Sequence, residues 1–243
     1  FGLIGLISTL SLMKRDKKLT LFCPLSVQKI IQAHLKFSKM KLSYELEMKV
    51  LNNQSRIKIF DNNQFSIYAF PLKHSVYTNG FLIKEKEKKR KLILEKALEK
   101  NIDRIYYNKL TKKENVINND GVEIDYKEVT KPAEKPKAFA YCSDTAYFDE
   151  LINYVKGVDL LYCETTFLYK DKDKADLTLH STSIDAATLA KKGRVKKLLI
   201  GHFSSRYDDN NDFVTEVASL FENVIISEAV SYTHLTLPTS NSV

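Results

Sequence analysis

The chain has 243 residues, 44% of them hydrophobic, enough for one large domain with a buried core and too apolar for a disordered chain. Lysine and arginine outnumber aspartate and glutamate by 38 to 30, a net charge of +8. That excess favours an anionic partner such as nucleic acid or a phosphorylated ligand, the plain alternative being a lysine-rich surface kept for solubility. Cys23, Cys142 and Cys163 lack C-x-x-C spacing, which excludes a disulfide framework and a cysteine zinc site and fits a reducing, cytoplasmic compartment.

The opening FGLIGLISTLSLM falls well short of the ~20 apolar residues of a membrane span, and no basic stretch precedes it. It reads as a buried helix of a domain whose beginning has been cut off, so apolar surface from Phe1 to Leu12 is expected to be exposed. KLTLFCP reads as a strand stopped by Pro24, and SVQKIIQAHLKFSKM as a helix with Ser26 at its N-cap and His34 beside its apolar face. SYELEMKVL, RIKIF and FSIYAFPLKH alternate around the turn-like NNQS and DNNQ, and are predicted to be antiparallel strands. KEKEKKRKLILEKALEK, from Lys84 to Lys100, sets dense charge around Leu92, Ile93, Leu94 and Leu98, the pattern of an exposed amphipathic helix. It opens a peripheral basic insertion over residues 84–136 that ends in the proline-containing VTKPAEKPK.

Beyond residue 136 strands and helices alternate. AFAYCSDT precedes AYFDELINYVK; VDLLYCETTF leads through a polar loop to STSIDAATLAKKG; VKKLLIGHF precedes DFVTEVASLF; NVIISEA closes the series. This is the pattern of an α/β protein, a sheet covered by helices. The final VSYTHLTLPTSNSV, residues 230–243, reads as a non-native tail, and its His234 is given no role.

Asp144, Glu164 and His202 fall at the ends of successive predicted strands, the rim where layered α/β proteins gather ligand-binding groups. His74 in PLKH and His180 in LHST join them. Singly, each has a structural reading: a strand-end histidine commonly serves as a hydrogen-bonder, and S-D-T commonly caps a helix. Only five histidines occur in the chain, however, and three of them follow short apolar strands or loops. Histidine and carboxylate suit zinc, and one aspartate can bridge two cations ~3.5–4 Å apart, so the joint pattern points to a metal site.

FGLIGLISTLSLM, PLKHSVYTNGFLIKEK, AYCSDTAYFDEL, LLYCETTF, LHSTSIDAATLAKK and LLIGHFSSRY occur in the order found in ribonuclease Z. That family comprises the tRNA 3′-processing endonucleases of the metallo-β-lactamase fold, and the chain resembles its bacterial members over residues 1–229. The resemblance implies a four-layer αββα sandwich, two Zn2+ per subunit in the complete protein with Mn2+ as the other candidate, precursor tRNA as substrate, a homodimer and no membrane association. It matches His74 to a ligand of one zinc, Asp144 to the bridging aspartate and His202 to a ligand of the second. Glu164 and His180 match the proton-transfer pair. Lys73, Ser204 and Arg206 are candidates for holding substrate phosphate, against the alternatives of a solvated loop lysine and a structural ion pair.

The family's H-x-H-x-D-H segment would lie immediately before FGLIGL and is not in this sequence. The residues present are therefore expected to form half of a dinuclear site, with weak metal binding and little activity by themselves. Cys163 stands where the family often has histidine before the glutamate, and a buried, inert thiol is expected there. The glycine-proline signature of the tRNA-binding arm does not occur in residues 81–136, where KEKEKKRK is the candidate for phosphate contacts. Two rival readings are another metallo-β-lactamase-fold phosphodiesterase acting on small diesters and a non-catalytic RNA-binding remnant.

Overall fold

The structure is a computed structural model describing residues 2–227; Phe1, His234 and the rest of the 230–243 tail lie outside the described residues. The chain forms two compact units, one from residues 2–59, Ile67–Leu82 and 139–227, the other from Phe60–Ser66 and Ile83–Ala138. Helix α1 (Gly2–Leu12), strand β1 (Leu19–Cys23), helix α2 (Leu25–Phe37) and strands β2 (Leu46–Val50), β3 (Ile57–Asp61), β4 (Phe65–Pro71) and β5 (Asn79–Glu85) come first. Then follow β6 (Lys91–Leu92), α3 (Leu94–Glu99), α4 (Tyr107–Thr111), β7 (Val116–Ile117), β8 (Glu123–Ile124), α5 (Tyr126–Val129) and β9 (Thr130–Lys131). The rest is β10 (Ala138–Cys142), α6 (Glu150–Val155), β11 (Leu160–Glu164), α7 (Lys172–Thr178), α8 (Ser183–Lys192), β12 (Lys197–Gly201), α9 (Asn211–Ala218) and β13 (Val224–Ile226).

A seven-stranded sheet runs in the order β13-β12-β11-β10-β5-β4-β3. Its β10 to β13 half is parallel, in a register that aligns Ala140 with Leu161 and Leu198, and Cys142 with Cys163 and Ile200. All six of these side chains are buried, which is the period-two apolar face the strands need for burial under helices. Leu151 and Val155 of α6, Ala186 and Leu189 of α8, and Phe213 and Val217 of α9 are buried as well. Parallel strands joined by helices bring all their C-terminal ends to one edge, and the polar residues at those ends follow.

Strand β2 does not join β3 and β4. It pairs in parallel with β1, from Leu19 against Leu46 to Cys23 against Val50, in a separate two-stranded sheet. The reason is the apolar cluster of Ile7, Ile31 and Tyr44, against which Leu19, Leu21, Leu46 and Met48 pack. The buried Tyr44 hydroxyl, just before β2, donates to the Ile7 carbonyl at 2.9 Å and pins the strand there. Helix α1 buries Ile7 and leaves Leu6 and Leu12 exposed.

Four further local readings are corrected. The charged run 84–100 is helical only at Leu94–Glu99: Lys84 and Glu85 complete β5, β6 pairs antiparallel with β9, and the Ile93 N–H donates to the Val129 carbonyl. Its apolar residues serve the second unit's own core, where Ala97, Ile102, Leu110, Val116, Ile124 and Val129 are buried and Leu92 packs on them. Pro24 rather than Ser26 is the N-cap of α2, and His34 is exposed. Helix α7 occupies part of the expected polar loop, held by the Lys172–Asp176 pair one turn apart and by buried Ala175. Among the described residues no helix is long and apolar enough to cross a membrane.

Candidate metal and catalytic site

The site belongs to the first unit, at the C-terminal edge of the parallel strands. Asp144 follows β10 by two residues, Glu164 ends β11, and His202 comes directly after β12. His74 lies beyond β4, and His180 sits between α7 and α8. Three non-glycine residues here have left-handed backbones: Asp144 (φ 57°), Leu179 (φ 57°) and His202 (φ 65°). This region is sparsely occupied by residues with side chains and persists where surrounding structure enforces it, commonly at functional sites.

Glu164 is fully buried, and its carboxylate accepts from three donors. The Thr145 N–H donates to Oε1 at 2.6 Å, the His180 ring shares Oε1 through Nδ1 at 2.8 Å, and the Thr166 hydroxyl donates to Oε2. A carboxylate only accepts, so His180 carries its proton on Nδ1 and presents Nε2. His74 is set the same way, because its Nδ1 lies 3.1 Å from the Leu179 carbonyl. His202 Nε2 approaches Asp144 Oδ1 at 3.2 Å, and its Nδ1 lies 2.8 Å from the Thr166 hydroxyl.

Asp144, His180 and His202 each offer a ligand atom within 4.8 Å of the others. His74 packs beside them, its ring 4.9 Å from that of His180, whose ring stands 5.4 Å from that of His202. Imidazole and carboxylate donors converge; His74 and His180 both have Nδ1 tied to a protein acceptor, an arrangement that frees Nε2 to bind a metal or to carry a transferable proton. The donor set fits a divalent cation. The mutual cluster differs in one member from the set His74, Asp144 and His202, since it takes in His180 and leaves His74 beside it.

The remaining candidates surround this cluster. Lys73 is exposed, its backbone N–H donating to the Thr145 hydroxyl and its carbonyl accepting from Ala146. Ser204 donates its backbone N–H to the Thr166 carbonyl, and Arg206 donates from Nε to the Ser204 hydroxyl at 3.0 Å. The guanidinium lies over the Phe167 ring, 4.9 Å from its centroid, and the residue is exposed. Cys163 is buried beside the glutamate, and burial pushes its thiol well up from the usual range. Thr145 and Thr166 escaped the sequence reading; the one signal was a hydroxyl two residues after the glutamate in CETTF, which says nothing of His202, 36 residues further on.

No family model matches the chain. Among curated proteins, ribonuclease Z of Cytophaga hutchinsonii is 39% identical over 227 residues, 93% of this chain and 72% of that protein. Ribonuclease Z of Parabacteroides distasonis is 34% identical over 228 residues, 94% of this chain and 75% of that protein. The chain belongs to the ribonuclease Z family. Solved structures agree on the fold: human tRNase Z, short form, superposes with a TM-score of 0.58 at 21% identity, covering 94% of this chain and 71% of that one. The metallo-β-lactamase fold protein YhfI of Bacillus subtilis gives 0.57 at 15% identity, covering 93% and 68%. The fold is therefore that of the metallo-β-lactamases.

Proposed function

We propose that this chain is the greater part of a zinc-dependent endoribonuclease that removes 3′ trailers from precursor tRNA, leaving a tRNA 3′-hydroxyl and a trailer 5′-phosphate. The observation that carries the reading is the convergence of Asp144, His180 and His202, with His74 beside them, in a chain of the ribonuclease Z family. Asp144, His74 and His202 would hold the metal. A bound divalent cation would supply a Lewis acid at the scissile phosphate.

The chain's own residues do the rest. Glu164, held by Thr145 and Thr166, orients His180 through Nδ1, so that Nε2 is aimed to deliver a proton to the departing 3′-oxygen. Arg206, resting on Phe167 and hydrogen-bonded to Ser204, holds a substrate phosphate, and Lys73 adds a charge beside His74. The protein acts as a cytoplasmic homodimer, a reading supported by the net charge of +8 for the RNA partner and by the resemblance for the dimer.

The test is cleavage of a precursor tRNA by the full-length protein, of whose relatives this chain covers about 72%, beside a chromogenic small phosphodiester, with the product ends identified. Preference for the tRNA, with a 3′-hydroxyl on the product and loss of cleavage in His202→Ala, is the expected result. Preference for the small diester would transfer the chain to the other phosphodiesterases of this fold. RNA binding without cleavage, unchanged in His202→Ala, would make it an RNA-binding protein.

A further inference from the structure

Arg206 is exposed, yet its surroundings leave it little freedom. The Tyr207 N–H donates to the Ser204 carbonyl at 3.2 Å, closing a turn with Arg206 inside it, and the Ser204 N–H donates to the Thr166 carbonyl at 3.1 Å. At the other end of the turn the Tyr207 hydroxyl donates to Asp171 Oδ2 at 2.6 Å and accepts from the Leu168 N–H at 3.2 Å. The Tyr207 ring meets the fully buried Phe213 of α9 edge-on at 5.1 Å, and Phe203 packs on the same ring at 4.7 Å. The loop that carries Arg206 is thus fastened both to the segment after β11 and to α9. Above Phe167, Arg206 Nε donates to Ser204 Oγ, its one hydrogen-bond acceptor among the described residues. The terminal nitrogens of a guanidinium are the pair that grips a phosphate through two parallel N–H bonds. Phe167 in turn lies 6.3 Å from the His180 ring, so the guanidinium and the candidate proton donor share it as a neighbour.

A flexible arginine must be ordered at the moment a phosphate binds, whereas one held in place beforehand avoids that cost. We infer that Tyr207 is a positioning residue for Arg206: its hydroxyl, between Asp171 and the Leu168 N–H, fixes the Ser204–Tyr207 turn and so holds the guanidinium over Phe167, ready for a phosphate of bound RNA. Tyr207 acts through Arg206 and needs no contact with the substrate. The choice of RNA rests on the proposed function, but the ordering of Arg206 is a property of the protein alone.

The experiment uses the full-length protein labelled with 15N-arginine, with the Arg206 Nε–H signal assigned by its loss in Arg206→Ala. The heteronuclear NOE of that signal is expected to be rigid in the wild type and mobile in Tyr207→Phe, which keeps the ring and removes only the hydroxyl. Affinity for precursor tRNA is read by fluorescence anisotropy, with a chelator present so that the RNA stays intact. It should fall about 2- to 10-fold in Tyr207→Phe, the cost of ordering one long side chain. Arg206→Ala should weaken binding further and lower the dependence of log affinity on log salt by about one, the mark of one phosphate contact. In the Arg206→Ala background Tyr207→Phe should add nothing. An Arg206 signal that is mobile in the wild type, or equally rigid in Tyr207→Phe, overturns the inference, as does a loss of affinity in Tyr207→Phe that persists without Arg206. Should Tyr207→Phe fail to fold, Asp171→Ala removes the same hydrogen bond and carries the same test. An Arg206→Ala variant that binds RNA as the wild type does, with an unchanged salt dependence, overturns the phosphate role. Absence of cleavage in the precursor-tRNA assay, with the ordering and the non-additivity intact, sinks the proposed function and leaves the role of Tyr207.

Discussion

A carboxylate without solvent must find its hydrogen bonds inside the protein, and Glu164 finds three, from Thr145, Thr166 and His180. Glutamine keeps the shape but replaces one acceptor oxygen by an NH2 that faces a donor, so at least one buried donor loses its partner, at a cost of about 1–3 kcal/mol. Glu164→Gln is therefore expected to lower the melting temperature. It should also slow cleavage by roughly 10²- to 10⁴-fold, the range of a lost general acid, because His180 loses the carboxylate that orients its ring. Thermal unfolding followed by circular dichroism and single-turnover cleavage check the two halves; an unaltered rate would show that the pair does not transfer the proton.

Elements carry these residues into place, and two of them have identifiable weak points. Helix α8 begins two residues after Ser181, with a capping box: the Thr182 hydroxyl accepts from the Asp185 N–H, and the Asp185 carboxylate accepts from the Thr182 N–H. Lys172 of α7 pairs with the same Asp185 carboxylate, so the turn bearing His180 is clamped from both helices. Thr182→Ala should cost about 0.5–2 kcal/mol in chemical denaturation, with the slope against denaturant unchanged. In β5, a Cβ on Gly80 would stand 2.3 Å from the ring of fully buried Phe70, which is itself stacked on Tyr154 at 4.8 Å. Gly80→Ala is expected to destabilise by about 1–3 kcal/mol through overpacking, measurable in the same titration.

At the scale of the whole molecule, stability should fall in alkali earlier than an exposed set of tyrosines would cause. Burial, then neighbouring ionisable groups, push Tyr162 up to about 12 from an ordinary value near 10. Burial and the hydrogen bond to Asp171 do the same for Tyr207, also to about 12. The unfolded chain loses these protons near pH 10 while the folded chain holds them to about 12, so the native state binds more protons in that window and its stability drops as pH rises through it. The buried thiols of Cys142 and Cys163, raised by desolvation, add to the loss from near pH 9 upward. Urea midpoints between pH 8 and 12 should show this decline, and Tyr207→Phe should flatten its upper part.

Local chemistry by itself determined a good deal. The alternation after residue 136 was legible because each strand and helix carries its own apolar period, and the strand ends at Asp144, Glu164 and His202 were legible because a polar residue terminates each run. The ordered motifs also sufficed to place the chain in its family. Tertiary structure alone decided that β2 turns to β1, since pairing depends on which apolar cluster buries the strand and not on its alternation. It likewise reduced the charged run to the short helix Leu94–Glu99, because Leu92 and Ala97 are drawn into a core built from residues up to 129. The hydroxyl of Thr166 between Glu164 and His202 belongs to the same class: a hydrogen bond spanning 36 residues exists only once parallel strands have brought their ends together, and no sequence period encodes it.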